Sequence, residues 1–189
     1  TMTYLTYKAT GLPRNRVIGM GGTLDTARFK HYLSVALDAN PNEIEALVIG
    51  AHGDTSMIPL VRYASYKCRP VTELLDKDTL NKVVSDTMLG GSTITNLLGT
   101  SAWYAPGAAA AFLVEAIIHD ERKIIPCSVY LEGEYGQNDI CLGTPVLIGK
   151  NGIEKILQYP LNYEERELFR KSAASVHETN NTLKKLVEI

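Results

Sequence analysis

The sequence contains only three cysteines, Cys68, Cys127 and Cys141, spaced too widely and in too odd a number for a disulfide framework or a zinc cluster. That usage suits a reducing cytoplasm, the expected location. There is no excess of basic charge. Nineteen Lys+Arg stand against 21 Asp+Glu, a net charge of -2, which argues against nucleic acid as a partner held through charge. No apolar run reaches the about 20 residues of a bilayer span. The longest, 105–118, is broken by Pro106 and Glu115. No basic stretch with an apolar core and cleavage site opens the chain, so secretion is not expected. No two histidines have metal-ligand spacing, so no metal site is expected. Neither the dinucleotide fingerprint G-x-G-x-x-G nor the Gly-Lys-Ser/Thr ending of a phosphate loop occurs. What is present is an ordinary globular mix, 45% hydrophobic and 21% charged over 189 residues, enough for one domain with a real core.

Local patterning predicts alternating elements. Residues 1–10 read as helix, with Met2, Leu5 and Ala9 on one side and Gly11 and Pro13 as the stop. Thr1 is a cap only by default, so this is either a short N-terminal helix or a helix whose upstream part is missing. Residues 16–20 read as a short buried strand. Thr23 can cap a helix from 24 to about 38, ended by Asn40-Pro41-Asn42. Residues 46–50 form an apolar strand followed by the polar turn Ala51-His52-Gly53-Asp54. A strand or strand pair is expected over 57–66, a polar helix over 76–98 and an Ala-rich helix over 105–119. Two strands, 124–131 and 140–148, are joined by a Gly-containing hairpin or loop, and Asn151-Gly152 marks a further turn. From 162 to the end, Leu168, Val176 and Leu183 mark one stripe of a terminal helix. With no repeat and no linker, the chain reads as one α/β or α+β domain.

Several groups are chemically suggestive, each with a plainer alternative. In Gly19-Met20-Gly21-Gly22-Thr23-Leu24-Asp25-Thr26-Ala27-Arg28 a strand ends in glycines and a helix begins. Asp25 and Arg28, three apart, share a face, as a surface ion pair also would. His52 follows the end of an apolar strand, where ligands gather in open α/β sheets. Its ordinary pKa, about 6.5, suits proton transfer near neutral pH, though a loop histidine bonded to backbone looks the same in sequence. Gly90-Gly91-Ser92 is expected to interrupt or kink its helix. Glu132-Gly133-Glu134 fits a solvated acidic turn, and Trp103-Tyr104 fits packing. His31, His119 and His177 lie in polar or helix-end settings.

Taken together, residues 11–29, Gly50-Ala51-His52-Gly53-Asp54, Trp103-Tyr104-Ala105-Pro106, residues 126–136 and Gly143-Thr144-Pro145-Val146 closely resemble the lactate/malate dehydrogenase family, over essentially the whole chain. The resemblance implies the family's α+β C-terminal domain over 1–189, with mixed, mainly antiparallel strands and not a Rossmann fold. It also implies a parent protein whose N-terminal NAD-binding Rossmann domain is absent from this chain.

By that resemblance His52 matches the catalytic acid/base, Asp25 its carboxylate partner and Arg28 the arginine that grips the substrate carboxylate. Ser101 falls in a loop that borders the substrate pocket. The expected activity is NAD-dependent oxidation of malate to oxaloacetate, a tricarboxylic acid cycle reaction. Met20-Gly21-Gly22 and residues 130–134 look like the lactate-dehydrogenase-like malate dehydrogenases of bacteria, with lactate as the runner-up substrate. The family assembles as dimers or tetramers, so a homo-oligomer is expected. NAD is not expected to bind this chain alone, which should be inactive. A non-catalytic assembly or binding module is the alternative from another class.

Overall fold

The computed structural model describes residues 1–186. The chain opens with α1 (Met2–Thr10), which ends at Gly11 in the left-handed conformation (φ 64°) that glycine adopts without strain. Tyr4 is 1% exposed, and its hydroxyl donates to the Asp139 carboxylate at 3.1 Å. Lys8 and Lys184 reach the same carboxylate at 2.8 and 3.0 Å, and Tyr7 stacks on Tyr130 with ring centroids 4.2 Å apart. Burial works against ionisation of Asp139, but these two ammonium groups and the hydroxyls of Tyr130 and Tyr4 outweigh it. The carboxyl is held well below its usual range.

The strand expected at 16–20 does not form. Residues 14–16 make a 3₁₀ turn after Pro13, and only Gly19 pairs, antiparallel, with Ser128. The following helix, α2 (Gly21–Leu37), starts earlier than Thr23 would have it. Thr23 therefore lies inside the first turn, and its hydroxyl donates to the Pro126 carbonyl at 2.9 Å instead of capping. The helix stops at Leu37, before Asn40, whose side chain caps a separate 3₁₀ turn.

Of the expected 46–50 strand only β2 (Val48–Gly50) forms; β1 (Ile44–Glu45) lies just before that range and belongs to another sheet. The 57–66 segment gives β3 (Met57–Pro59) and β4 (Ser65–Tyr66), followed by β5 (Arg69–Pro70) and the short α3 (Val71–Leu74). The long helices follow the sequence closely. α4 (Lys77–Leu98) is capped by the Asp76 carboxylate, which accepts from the Thr79 amide at 2.9 Å, and α5 (Tyr104–Ile118) ends at His119. The strands β6 (Lys123–Glu132) and β7 (Asn138–Gly149) form the long hairpin, and β8 (Gly152–Ile156) turns back after Asn151. The terminal helix is α6 (Tyr163–Leu186); positions 187–189 of the expected helix lie outside the described residues.

Every strand pairing is antiparallel, in one sheet ordered β3-β2-β7-β6 with β8 also on β7, and a small sheet β1-β4-β5. The architecture is α+β, as the sequence predicts. Ile125, Cys127, Val129 and Leu131 of β6 enter one core with Leu113 and Ala116 of α5 and Phe169, Ala173 and Val176 of α6. The alternate residues face other partners: Tyr130 meets α1, Ser128 meets Gly19, and the Pro126 carbonyl meets α2. A second core joins Phe29 and Leu33 of α2 to Ile44, Val48, Met57 and Val83. The buried stripe of α6 runs through Phe169 rather than Leu168, which is 46% exposed. A large groove of about 990 Å³ lies between α2, α5 and the start of β6.

Phe169 is 2% exposed and packs on Tyr135 at 5.0 Å between ring centroids. Phe169→Ala should therefore destabilise the fold by about 3–5 kcal/mol, read as a lower urea midpoint.

Candidate active site

α2 carries Asp25 on its second turn, because the helix begins at Gly21. Asp25 is 1% exposed, so a surface ion pair is excluded. Two interactions fix this part of α2 to the sheet: the Thr23 bond to Pro126, and the Thr26 hydroxyl, which accepts from the Val48 amide at 3.1 Å. That second bond ties α2 to the start of β2, whose far end leads to His52.

The Asp25 carboxylate faces an imidazole and a guanidinium, one through each oxygen. Oδ2 lies 2.7 Å from His52 Nδ1, and Oδ1 accepts from Arg28 Nη1 at 3.2 Å. A buried carboxylate is acceptor-only, so it holds the proton of His52 on Nδ1 and leaves Nε2 for another partner. The His52 side chain is 50% exposed. Its pKa is raised above the ordinary value, chiefly by the hydrogen bond to Asp25, with burial and the Arg28 charge opposing and the Asp54 charge assisting.

Arg28 is nearly buried, with a side chain 14% exposed. Its Nε is a buried donor without a partner among the described residues. The guanidinium lies against α4 at Gly90 and Gly91: a Cβ would sit 3.3 Å from Arg28 Cδ at Gly90 and 3.4 Å from Nη1 at Gly91. These two glycines neither break nor kink the helix, which runs through them without interruption. At Gly90 the missing side chain leaves room for the arginine, whereas the spacing at Gly91 is that of ordinary contact. Gly21 leaves room for the histidine, since a Cβ there would fall 2.8 Å from His52 Cβ. The roles of Gly21 and Gly90 are missed by sequence reasoning. The signal at Gly90 was a glycine pair inside a helix with no turn to require it.

His52 stands two residues beyond the end of β2, in a turn closed by the Met57 and Ser56 amides bonding the Gly53 carbonyl. The sheet is antiparallel, so the parallel-sheet rule that singles out this strand end is not the reason for its position. The reason is the tie between β2 and α2. Other candidates stay apart from this cluster. Ser101 is exposed between α4 and α5 and makes no hydrogen bond to the trio. Glu132 and Glu134 pair with Arg14 at 3.2 and 3.0 Å, so this acidic turn is ion-paired rather than merely solvated. Trp103 and Tyr104 are exposed at 66% and 86% and do not pack into the core.

Chemically, the trio combines a fixed imidazole able to take or give a proton at Nε2 with an arginine whose donors are only partly used. Such a site suits a small anion bearing an acidic or basic oxygen.

Comparisons with known proteins identify the family. A family model described as the lactate/malate dehydrogenase alpha/beta C-terminal domain matches residues 22–187. The malate dehydrogenase of Parabacteroides distasonis is 63% identical over 186 residues, covering 98% of this chain and 59% of that protein. The solved malate dehydrogenase of Salinibacter ruber has a TM-score of 0.94 at 44% identity, covering 98% of this chain and 60% of that one. A lactate dehydrogenase of Eimeria maxima, solved with NADH and oxamate, has a TM-score of 0.93 at 34% identity, covering 98% and 59%. The chain thus spans about 59–60% of the length of curated relatives such as the Parabacteroides distasonis protein. This chain belongs to the lactate/malate dehydrogenase family and corresponds to its alpha/beta C-terminal domain.

Proposed function

We propose that this chain is the substrate-handling part of an NAD-dependent malate dehydrogenase, with His52 as proton acceptor and donor, Asp25 orienting it and Arg28 binding a substrate carboxylate. The observation that carries the reading is the single buried Asp25 carboxylate shared between His52 Nδ1 and Arg28 Nη1. Malate is preferred to lactate because the 63% identical relative is named a malate dehydrogenase, whereas the lactate dehydrogenase neighbour is 34% identical.

The donor set fits a small carboxylate and leaves the phosphates of a dinucleotide to residues outside this chain, since no glycine fingerprint occurs in its 189 residues. NAD, when bound, supplies the acceptor for the hydride leaving C2 of malate. The residues here handle the proton. Neutral His52 accepts the C2 hydroxyl proton at Nε2, and Asp25 stabilises the imidazolium that results, as an acid behind a histidine does in hydrolytic triads. The flat guanidinium of Arg28, with its Nε buried and unpartnered, offers parallel donors to a two-oxygen anion. The rest of the protein would carry the Rossmann domain, and the chain alone would be inactive. The apolar surface left open on α5, with Tyr104, Val114 and Ile118 more than half exposed, supports burial against further protein, in keeping with a homo-oligomer. Three free cysteines fit a cytoplasmic enzyme.

Three outcomes test the reading in the whole protein. His52→Asn should lower malate turnover by about 10²–10⁴-fold while NAD binding, followed by fluorescence, persists. Undiminished turnover would instead leave the assembly-module reading standing. Arg28→Lys should raise KM for malate roughly 10–100-fold, the size of a lost charge-assisted hydrogen bond of about 1.5–3 kcal/mol.

The third concerns pH. Because the pKa of His52 is raised, malate oxidation, which needs neutral imidazole, should fall away at pH values still above 6.5, and oxaloacetate reduction should fall as pH rises through the same value. Stability contributed by the Asp25–His52 pair is full below 6.5 and is lost as pH rises through the raised pKa. Asp25→Asn should move the acidic limb of the oxidation profile to lower pH.

A further inference from the structure

We propose that Ser172, on α6, is a positioning residue for His52. This rests on the reading of His52 as the proton carrier and adds a second anchor to the one supplied by Asp25.

The observation begins with the backbone of the catalytic loop. The register of β2 ends at Gly50, which pairs with Met57 on one side and Gly143 on the other. Ala51 lies one residue past that pairing, and its amide would have no strand partner. It donates instead to Ser172 Oγ at 2.8 Å. Ser172 is 2% exposed and 121 residues away in sequence. Among the described residues this is the one side-chain hydrogen bond from α6 to residues 51–56.

The surrounding packing is shaped for it. Gly50 has φ +89°, and a Cβ there would stand 2.9 Å from Ser172 Oγ; a Cβ at Gly143 would stand 2.6 Å from the Gly50 carbonyl oxygen. Missing side chains at both positions let β7, β2 and α6 close on one another at the point where the chain leaves for His52.

The consequence concerns alignment. His52 follows Ala51 directly, and half of its side chain is open, so packing does not hold the ring on all sides. Asp25 fixes Nδ1 from α2, and Ser172 fixes the backbone from α6. Together they set both the place and the direction of Nε2. A displacement of about 0.5 Å is enough to spoil such a constellation, and misplacement by about 1 Å can cost roughly 10²-fold in rate.

The test compares Ser172→Ala with Ser172→Thr, which keeps the hydroxyl, and with Ala173→Gly, which loosens the buried side of α6 but leaves the acceptor in place. Two readouts are taken: turnover of malate in the whole protein, and the titration of His52 in this chain followed by NMR of ring-labelled histidine, with His52→Gln for assignment. Asp25, Arg28 and Asp54 are the charged groups acting on that titration, and all three remain intact in these variants.

Ser172→Ala should lower kcat about 10-fold with little change in KM and return the His52 titration toward 6.5. Ser172→Thr should restore both readouts. Ala173→Gly should lower the melting temperature without moving the His52 titration. Should Ser172→Ala fail to fold, Ser172→Cys, close in size but a weak acceptor, takes its place in the comparison.

An unchanged kcat and titration in Ser172→Ala, or the same shift in Ala173→Gly, would overturn the proposal. Active His52→Asn protein would instead overturn the reading of His52, and the NMR titration would still decide whether Ser172 positions the ring.

Discussion

A carboxylate with 1% of its surface exposed dictates the arrangement around it. Asp25 cannot be left charged in the interior without partners, and losing one of them from a buried pair costs about 3–5 kcal/mol. Both partners must therefore arrive together. Arg28 comes from the same helix three residues on, which α-helical geometry delivers without help. His52 comes from a loop 27 residues later, and nothing local brings it. The bond from the Thr23 hydroxyl to the Pro126 carbonyl and that from the Val48 amide to the Thr26 hydroxyl fix the helix to the sheet that bears the loop.

The second constraint is distance. Several elements meet at this site with little room for side chains, and glycine stands at the contacts. Gly21 admits the histidine, Gly90 admits the arginine, and Gly50 and Gly143 let β2 and β7 approach. A glycine inside a helix costs roughly 0.5–1 kcal/mol relative to alanine, so the pair in α4 weakens that helix. The helix persists for 22 residues because its Asp76 cap and the burial of Leu80, Val83 and Thr87 support it. The local loss gives Arg28 a flat wall of backbone to lie against, where one of its donors stays unpaired.

Electrostatics then give each member of the trio a distinct character. Asp25 and Arg28 act in opposite senses on His52, and the hydrogen bond that His52 donates to Asp25 outweighs the repulsion by Arg28. The result is an imidazole whose pKa is raised and whose side chain is half open to solvent. Away from the site, Asp139 gathers Tyr4, Lys8, Tyr130 and Lys184 and so binds the first helix, the long hairpin and the last helix into one body.

Sequence alone determined the elements whose signals are local. A long polar stretch marks α4, the Ala-rich stretch marks α5, and two apolar runs mark the β6–β7 hairpin. The resemblance of short motifs singled out Asp25, Arg28 and His52. Tertiary structure decided the rest. It turned the expected strand at 16–20 into a single bridging pair at Gly19, moved Thr23 from a cap to a bond with Pro126, and buried Phe169 where the stripe through Leu168 was expected. It also revealed why Gly90 sits inside a continuous helix, and it gave the Ala51 amide its partner on α6. The division follows from range. Capping, periodicity and turn chemistry act within a few residues and leave a trace in sequence, whereas burial of an ion pair and close approach of backbones depend on partners 27 to 121 residues away.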